Sequence, residues 1–300
     1  MIFVSSQPKP NFFIVGAAKS GTTSLWMYLK QHPDIFMPET LNLKEPGYFC
    51  HLYGIKSYDK YLSIFEKAKG IKAVGEASHA YLSSPESATW IKKFNPSAKI
   101  IIILRNPVER AYSLYNWMIS EGYEWIFPFE KALEIEEKRL KNEEFKHNNP
   151  EYWYNYLYFY SGLYSKQIKR YLNIFPEKQV RIFLFEDLIN NPILLTQQIY
   201  DFLDVNSDFL PETSKKYNTR KTPQFVSLQF FCKQKLPVYL RKIRLSKYKK
   251  IQSKILNLNC SMGKNKNLDQ ETRKKLQLWY KDDLRATAKL INRDLENWIA

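Results

Sequence analysis

The chain has 300 residues, of which 44% are hydrophobic, so it exceeds a mini-domain and can form one large α/β domain with a substantial core. No run approaches the 18 or so uncharged apolar residues that a membrane-spanning helix needs. The net charge of +16 comes mainly from Lys215 to Asn267, where fifteen Lys or Arg and no Asp or Glu favour an anionic partner.

The predicted elements alternate between strands and helices along the chain. Strands are expected at 11–15, 72–78, 98–106 and 179–188, and helices at 22–31, 58–68, 85–94, 107–121, 129–145, 161–174, 192–203 and 270–290. The apolar run in "AKIIIILRN" indicates a strand buried on both faces, as in a parallel sheet. This order predicts the α/β class, with a P-loop-type three-layer fold whose central, mostly parallel sheet is flanked by helices.

The turn after the first strand, "GAAKSGTT", has the glycine spacing of a phosphate-binding loop but a displaced lysine. In the usual pattern, G-x-x-x-x-G-K-[ST], the lysine follows the second glycine. Here Lys19 lies between Gly16 and Gly21, and Thr22 and Thr23 follow. Backbone N–H groups and the positive end of the next helix bind anions in such a turn. No acidic residue ends the strands at 11–15 or 98–106, so the turn predicts a nucleotide site that works without a metal.

A second set of residues follows the strand at 98–106. Asn106 is a predicted N-cap, with Pro107 at the first helical position and Glu109 completing a capping-box-like start. Arg105 ends the strand, and Ser113 lies in the second turn of the helix. Because ligands of open α/β sheets bind at the carboxyl ends of strands, we expect Arg105 to bind a second phosphate. An arginine at a strand end is otherwise more often a surface ion pair.

Two segments, "FFIVGAAKSGTTSLWMYLKQHPDI" and "KIIIILRNPVERAYSLY", together resemble the cofactor signatures of sulfotransferases that use 3′-phosphoadenosine 5′-phosphosulfate (PAPS). The segments "LKEPGYF" (43–49) and "GLYSKQIKRYLNIFPEKQVRIFLFEDLINNP" (162–192) resemble the heparan-sulfate-type branch, the N-deacetylase/N-sulfotransferases and 3-O-sulfotransferases, and its bacterial relatives. The resemblance runs from about residue 11 to 205 and returns in the last helix. It implies one sulfotransferase domain over residues 1–300.

The resemblance assigns roles to individual residues. It implies that the 5′-phosphosulfate of PAPS is held by the residues of the glycine turn, which are Lys19, Ser20, Gly21, Thr22 and Thr23. The 3′-phosphate is assigned to Arg105 and Ser113, and also to Arg220 and Lys221 in "YNTRKTPQF" (217–225), a loop that closes over the cofactor. The expected product is adenosine 3′,5′-bisphosphate, no metal is required, and Lys19 stabilises the charge that develops on the leaving group.

The general base has two candidates. The resemblance places Glu45 where the heparan-sulfate-type enzymes have their base, which requires a raised pKa; the alternative is a plain ion pair with Lys44. His79, in "GEASHAYL", lies where the cytosolic small-molecule sulfotransferases have a catalytic histidine, and imidazole is the easier base at neutral pH. Ala77 stands where the glycan enzymes carry a lysine. Glu76 is equally well read as a substrate contact or a strand cap.

A carbohydrate or glycolipid acceptor is implied by the heparan-sulfate-type resemblance. The aromatic run "EYWYNYLYFYSGLY" (151–164) suits stacking on sugars as well as core packing. The basic, least regular segment at 206–268 is expected to cover the acceptor and cofactor. Its stretch 236–256 is basic and amphipathic, typical of a segment that covers a cleft or rests on an anionic membrane. No nucleic-acid-binding module is recognisable.

Three other hypotheses remain open at this stage. One is a P-loop kinase for small molecules, which the absence of a lysine after Gly21 disfavours. Another is a sulfotransferase for a phenol or alcohol, and the third is a non-catalytic binder of anionic surfaces that uses residues 215–267. The three widely spaced cysteines suit a reducing compartment. Pro8 and Pro10 interrupt the first apolar residues, so we expect no signal peptide and a cytoplasmic location.

Overall fold

The computed structural model describes residues 7–39, 41–214, 222–237, 252, 255–256, 258–261 and 267–299. Two compact units make up the chain. The first comprises Met1–Arg105, Tyr164–Tyr217 and Arg285–Asp294, and the second comprises Asn106–Leu163, Asn218–Leu284 and Leu295–Ala300. Arg220 and Lys221, assigned above to the 3′-phosphate, lie outside the described residues, as does most of 236–256. Among the described helices, none combines the length and apolar character needed to cross a bilayer.

A five-stranded parallel sheet forms the centre of the first unit. Its strands are β1 (Phe12–Gly16), β2 (Ile35–Phe36), β3 (Ala73–Ala77), β4 (Lys99–Leu104) and β5 (Val180–Leu184), in the order β2-β3-β1-β4-β5. Strands β1 and β3 are buried along their whole length, as an apolar strand between helical layers must be. The predicted α/β class, with a parallel central sheet flanked by helices, is confirmed.

Among the described residues, the α-helices are α1 (Thr22–Leu29), α2 (Leu41–Lys44), α3 (Tyr58–Ser63), α4 (Ala80–Ser83), α5 (Ser87–Phe94), α6 (Pro107–Ser120), α7 (Phe129–Glu134), α8 (Glu136–Lys141), α9 (Glu143–His147), α10 (Tyr164–Ile174), α11 (Phe185–Asn190), α12 (Pro192–Leu203), α13 (Val226–Phe230), α14 (Gln270–Ile291) and α15 (Glu296–Ile299). The first unit contains α1 to α5 and α10 to α12, the second contains α6 to α9, α13 and α15, and α14 contributes residues to both.

Two predicted elements differ from the structure because of local capping. The strand expected at 179–188 ends at Leu184, since the Asp187 carboxylate accepts the Leu184 N–H (2.9 Å) and starts α11 there. The helix expected at 129–145 is divided into α7, α8 and α9. Asn142 stands between α8 and α9, and its side chain accepts the Phe145 N–H (2.9 Å), which makes it an N-cap rather than a mid-helix residue.

The second unit packs α6 against the buried aromatic run that follows α9. Asn106 caps α6 as predicted, because its side chain accepts the N–H groups of Val108 (3.0 Å) and Glu109 (3.4 Å). The fully buried Arg110 donates to the Tyr158 carbonyl oxygen at 2.6 Å. The same unit holds a short antiparallel pair, β6 (Thr222–Pro223) and β7 (Cys260–Ser261).

Candidate active site

The glycine turn connects β1 to α1 in the first unit. Gly16 (φ +151°), Lys19 (φ +65°) and Gly21 (φ +90°) take backbone conformations that most residues avoid. Gly21 is the N-cap of α1. Because glycine has no side chain, it cannot accept the N–H groups of the first turn of this helix. Ser20 is fully buried, and its Oγ has no hydrogen-bond partner among the described residues. A buried hydroxyl without a partner, beside uncapped helix amides, fits a phosphate or sulfate oxygen.

Arg105 follows β4 and is held against this turn. Its Nη1 donates to the Lys19 carbonyl oxygen at 3.1 Å, and its guanidinium lies 4.7 Å from the centre of the Phe185 ring. The Tyr164 hydroxyl donates to the Arg105 carbonyl oxygen at 2.8 Å and fixes the backbone. The structure therefore brings Arg105 and the glycine turn together. Ser113 is buried in α6 of the second unit, with 4% of its surface exposed.

Glu45, one candidate base, lies between the ammonium nitrogen of Lys44 and an imidazole nitrogen of His79. Its Oε1 accepts the Lys44 ammonium at 2.6 Å, and its Oε2 accepts Nδ1–H of His79 at 2.6 Å. Burial by itself would raise the pKa of Glu45, but His79 and Lys44 together outweigh it and hold that pKa well below its usual range. Glu45 is therefore an anion at neutral pH, and the two predicted bases contact each other.

His79 lies beside the start of the glycine turn. It directly precedes α4, which follows β3, the neighbour of β1 in the sheet. A side-chain carbon placed on Gly16 would lie 3.2 Å from the His79 carbonyl oxygen and 2.7 Å from Cβ of Leu82. Glycine at this position therefore allows the two segments to touch. The contact brings the Glu45–His79 pair to the same edge of the sheet as the turn.

Glu76, near the end of β3, is the centre of a buried hydroxyl network. Its carboxylate accepts the hydroxyls of Tyr61 (2.7 Å), Ser78 (2.8 Å) and Tyr81 (3.1 and 3.2 Å), and the residue is fully buried. Burial raises the pKa of Glu76 to about 7, although the three hydroxyls oppose the shift. Without exposure, Glu76 is not placed to contact substrate.

The same hydroxyls hold the loop that carries Glu45. The Gly47 N–H donates to Ser78 Oγ at 3.1 Å, and the Phe49 N–H donates to the Tyr81 hydroxyl at 3.3 Å. Further along the loop, a side-chain carbon on Gly54 would lie 2.2 Å from the Pro46 carbonyl oxygen and 2.5 Å from Cα of Gly47. The two arms of the loop thus touch backbone to backbone, which fixes the backbone that follows Glu45.

Replacing Glu76 with glutamine is expected to change how stability depends on pH. The folded chain keeps the Glu76 proton up to about pH 7, whereas the unfolded chain releases it near the ordinary value of 4.5. Raising the pH through this window therefore destabilises the wild type relative to Glu76→Gln, by up to about 3 kcal/mol. Urea unfolding of both proteins at pH 4 and pH 8 measures the difference, and a difference that does not change with pH would contradict the prediction.

Sequence reasoning missed the network around Glu76 and the pairing of both base candidates. One signal was present, since Ser78 and Tyr81 follow Glu76 closely and Tyr61 precedes it in an aromatic helix. A hydroxyl-rich neighbourhood is what a buried carboxylate requires. Among the residues that the structure describes, no group of three His, Cys, Asp or Glu side chains is arranged to hold a metal ion.

The fold is an α/β fold with a parallel central sheet, and comparisons with known proteins identify its family. The sulfotransferase domain family model matches residues 9–288. A sulfotransferase crystal structure from Alicyclobacillus acidocaldarius is 31% identical, with a TM-score of 0.73 over 98% of this chain and 100% of that chain. The chain belongs to the sulfotransferase domain family.

Two curated relatives are less similar. Membrane-associated sulfotransferase kil1 of Dictyostelium discoideum is 28% identical over 268 residues, which cover 66% of this chain and 56% of that protein. Human bifunctional heparan sulfate N-deacetylase/N-sulfotransferase 3 is 27% identical over 212 residues, which cover 65% of this chain and 22% of that protein. The chain thus spans about half or less of the length of these relatives.

Proposed function

We propose that this protein transfers a sulfuryl group from PAPS to a hydroxyl or amine of a carbohydrate or glycolipid acceptor. The observation that carries the proposal is the contact between the glycine turn and the His79 segment at Gly16, because a turn suited to an anion then lies beside the segment that carries a candidate base. Sulfuryl transfer needs both parts: donors for the leaving phosphate and a base for the acceptor proton.

The donor site is assigned to the glycine turn and Arg105. The amides from Lys19 to Thr23 and the Ser20 hydroxyl would hold the 5′-phosphosulfate, and Arg105 would hold the 3′-phosphate. Ser113, Arg220 and Lys221 are further 3′-phosphate contacts in this proposal. When bound, PAPS supplies the sulfuryl group and adenosine 3′,5′-bisphosphate is the leaving group. The Lys19 ammonium stabilises the negative charge that develops on the leaving oxygen.

His79 is the base in this proposal, and Glu45 orients it. Because Glu45 accepts Nδ1–H, the neutral imidazole carries its lone pair on Nε2. Nε2 removes the proton of the acceptor hydroxyl or amine as the new S–O or S–N bond forms and the bond from sulfur to the leaving oxygen breaks. Glu45, whose pKa is held low, remains an anion and stabilises the imidazolium that results.

The acceptor class rests on two kinds of support. One of the curated relatives bears a name that refers to heparan sulfate, a carbohydrate. The basic segment at 215–267 suits an acceptor that already carries negative charge. A labelled-sulfate transfer screen over glycans, glycolipids and phenols, read by mass, tests the acceptor; transfer to phenols alone would replace the carbohydrate assignment.

The donor is tested separately by calorimetry. We expect adenosine 3′,5′-bisphosphate to bind without magnesium and to bind more tightly than ATP with magnesium, because Lys19 lies inside the turn rather than after Gly21. Tight binding of magnesium ATP together with weak binding of the bisphosphate would instead indicate a kinase and contradict the proposed donor.

A further inference from the structure

A cavity of about 500 Å³ lies in the first unit next to the loop that follows Glu45. Its lining residues combine aromatic rings with basic side chains, and they are Tyr48, Phe49, His51, Lys56, Trp90, Lys93 and Phe94. This volume falls within the range of roughly 300–1,000 Å³ that is typical of small-molecule sites. None of the residues assigned above to the donor or the base lines the cavity.

The aromatic walls of the cavity pack against neighbouring rings. The Tyr48 ring is stacked on Tyr61, with ring centres 4.4 Å apart and planes within 11°. Phe49 is almost fully buried, and its ring packs edge-on against Phe94 at 5.1 Å. Trp90, on α5, keeps 37% of its surface exposed. These walls offer flat faces of the kind that stack on the C–H faces of a sugar ring.

The polar side of the cavity is cationic. The Lys56 ammonium donates to the carbonyl oxygens of Cys50 and Tyr53, both at 2.6 Å, and this anchoring fixes its position. Partial burial desolvates the Lys56 ammonium and lowers its pKa, although the charge of Glu86 opposes this shift. Lys93 is an exposed second ammonium on α5. Within the described part of the chain, no Asp or Glu lines the cavity; Glu86, nearby, accepts the His51 N–H at 2.6 Å.

We propose that this cavity is a second sugar-binding site that holds a pyranose ring bearing a carboxylate or a sulfate. The aromatic walls take the ring, and Lys56 and Lys93 take the anionic group. The choice of a sugar, rather than another ring with a negative charge, rests on the proposed function. Tyr48 and Phe49 follow Glu45 by only three and four residues. A sugar bound in the cavity would therefore contact the same loop that carries Glu45.

The site is tested by calorimetry on the whole chain without donor, using four probes. The anionic probes are methyl glucuronide, for the carboxylate, and methyl glucoside 6-sulfate, for the sulfate. The comparison probes are neutral methyl glucoside and 4-nitrophenyl sulfate. At least one anionic sugar is expected to bind at least about ten-fold more tightly than the neutral sugar, because a hydrogen bond to a charged group is added.

Two variants and a matched control locate the binding. Trp90→Ala and Lys93→Gln are each expected to weaken binding of the anionic sugar by about ten-fold. Lys92→Gln is the control, since Lys92 lies on the same helix but bonds the Pro96 carbonyl oxygen (2.7 Å) and does not line the cavity. It should bind like the wild type.

Three results would overturn the proposal: no binding of either anionic sugar at millimolar concentration, binding that survives both variants, or tighter binding of 4-nitrophenyl sulfate than of the sugars. Sulfuryl transfer is assayed separately on the same proteins. A chain that binds the anionic sugar in this cavity but transfers no sulfuryl group contradicts the proposed function alone. A chain that transfers the group but leaves the cavity empty contradicts this inference alone.

Discussion

His79→Ala is expected to lower kcat by about 10²–10⁴-fold while binding of adenosine 3′,5′-bisphosphate stays unchanged. The reason is that His79 Nε2 removes the acceptor proton in the proposed mechanism, and general bases accelerate such a step by this amount. The proposed donor site, by contrast, assigns the cofactor phosphates to the glycine turn and Arg105 and gives the imidazole no part in binding them. Steady-state kinetics and calorimetry measure the two effects. His147→Ala, which removes an exposed histidine from α9 of the second unit, is the control.

The variant Glu45→Gln tests whether Glu45 orients the His79 imidazole or removes the acceptor proton itself. Glutamine keeps the size of the side chain but loses the negative charge that stabilises the imidazolium. We expect a lower kcat, and an acid limb of the pH–rate profile displaced to lower pH, because protonation of His79 loses its anionic partner. If Glu45 were the base itself, this variant would lose the acid limb altogether and His79→Ala would keep most of its activity. That pair of results would contradict the assignment.

Lys19→Ala is expected to lower kcat/KM by at least about 10²–10³-fold and also to weaken binding of adenosine 3′,5′-bisphosphate. A cation inside the turn stabilises both the bound phosphate and the charge that develops on the leaving oxygen, so binding and turnover should fall together. Calorimetry and steady-state kinetics on one preparation measure both. This joint loss distinguishes Lys19 from His79, whose removal should affect turnover alone.

Lys30→Ala is the matched control for Lys19→Ala. Lys30 is the C-cap residue of α1, is exposed, and donates to the Glu39 carbonyl oxygen at 2.5 Å. Its removal takes the same charge from the opposite end of the helix that starts at the turn. If both lysine variants bind the bisphosphate as tightly as the wild type does, Lys19 does not bind the phosphate. That result would contradict PAPS as the proposed donor.

The sheet and the contact between Arg105 and the glycine turn could be predicted from the sequence because both depend on strong local signals. Apolar runs such as 100–104 indicate strands buried on both faces. Carboxyl ends of parallel strands meet at one edge, so the turn after β1 and Arg105 after β4 were expected to be neighbours, and they are in contact. Asn106 could be assigned as an N-cap for a similar reason, since capping depends on a few adjacent residues.

The relation between Glu45 and His79 could not be predicted, because it depends on how a loop folds back. The sequence offers the two residues as alternative bases, whereas in the structure they share a hydrogen bond of 2.6 Å. Their contact is set by tertiary bonds from Ser78 and Tyr81 to the loop, which no periodicity in the sequence encodes. The raised pKa that Glu45 would need as a base is not found for the same reason. The nitrogens of His79 and Lys44 lower the pKa of Glu45 by more than burial raises it.

The backbone contact between Gly47 and Gly54 limits how this protein could be redesigned. Any larger residue at either position must push the two arms apart, and the Glu45 carboxylate, which contacts His79, would move with them. Efforts to broaden acceptor preference should therefore leave both glycines intact and vary residues that border the incoming molecule. Libraries that randomise the whole segment would mostly recover inactive clones, whatever acceptor they were selected on.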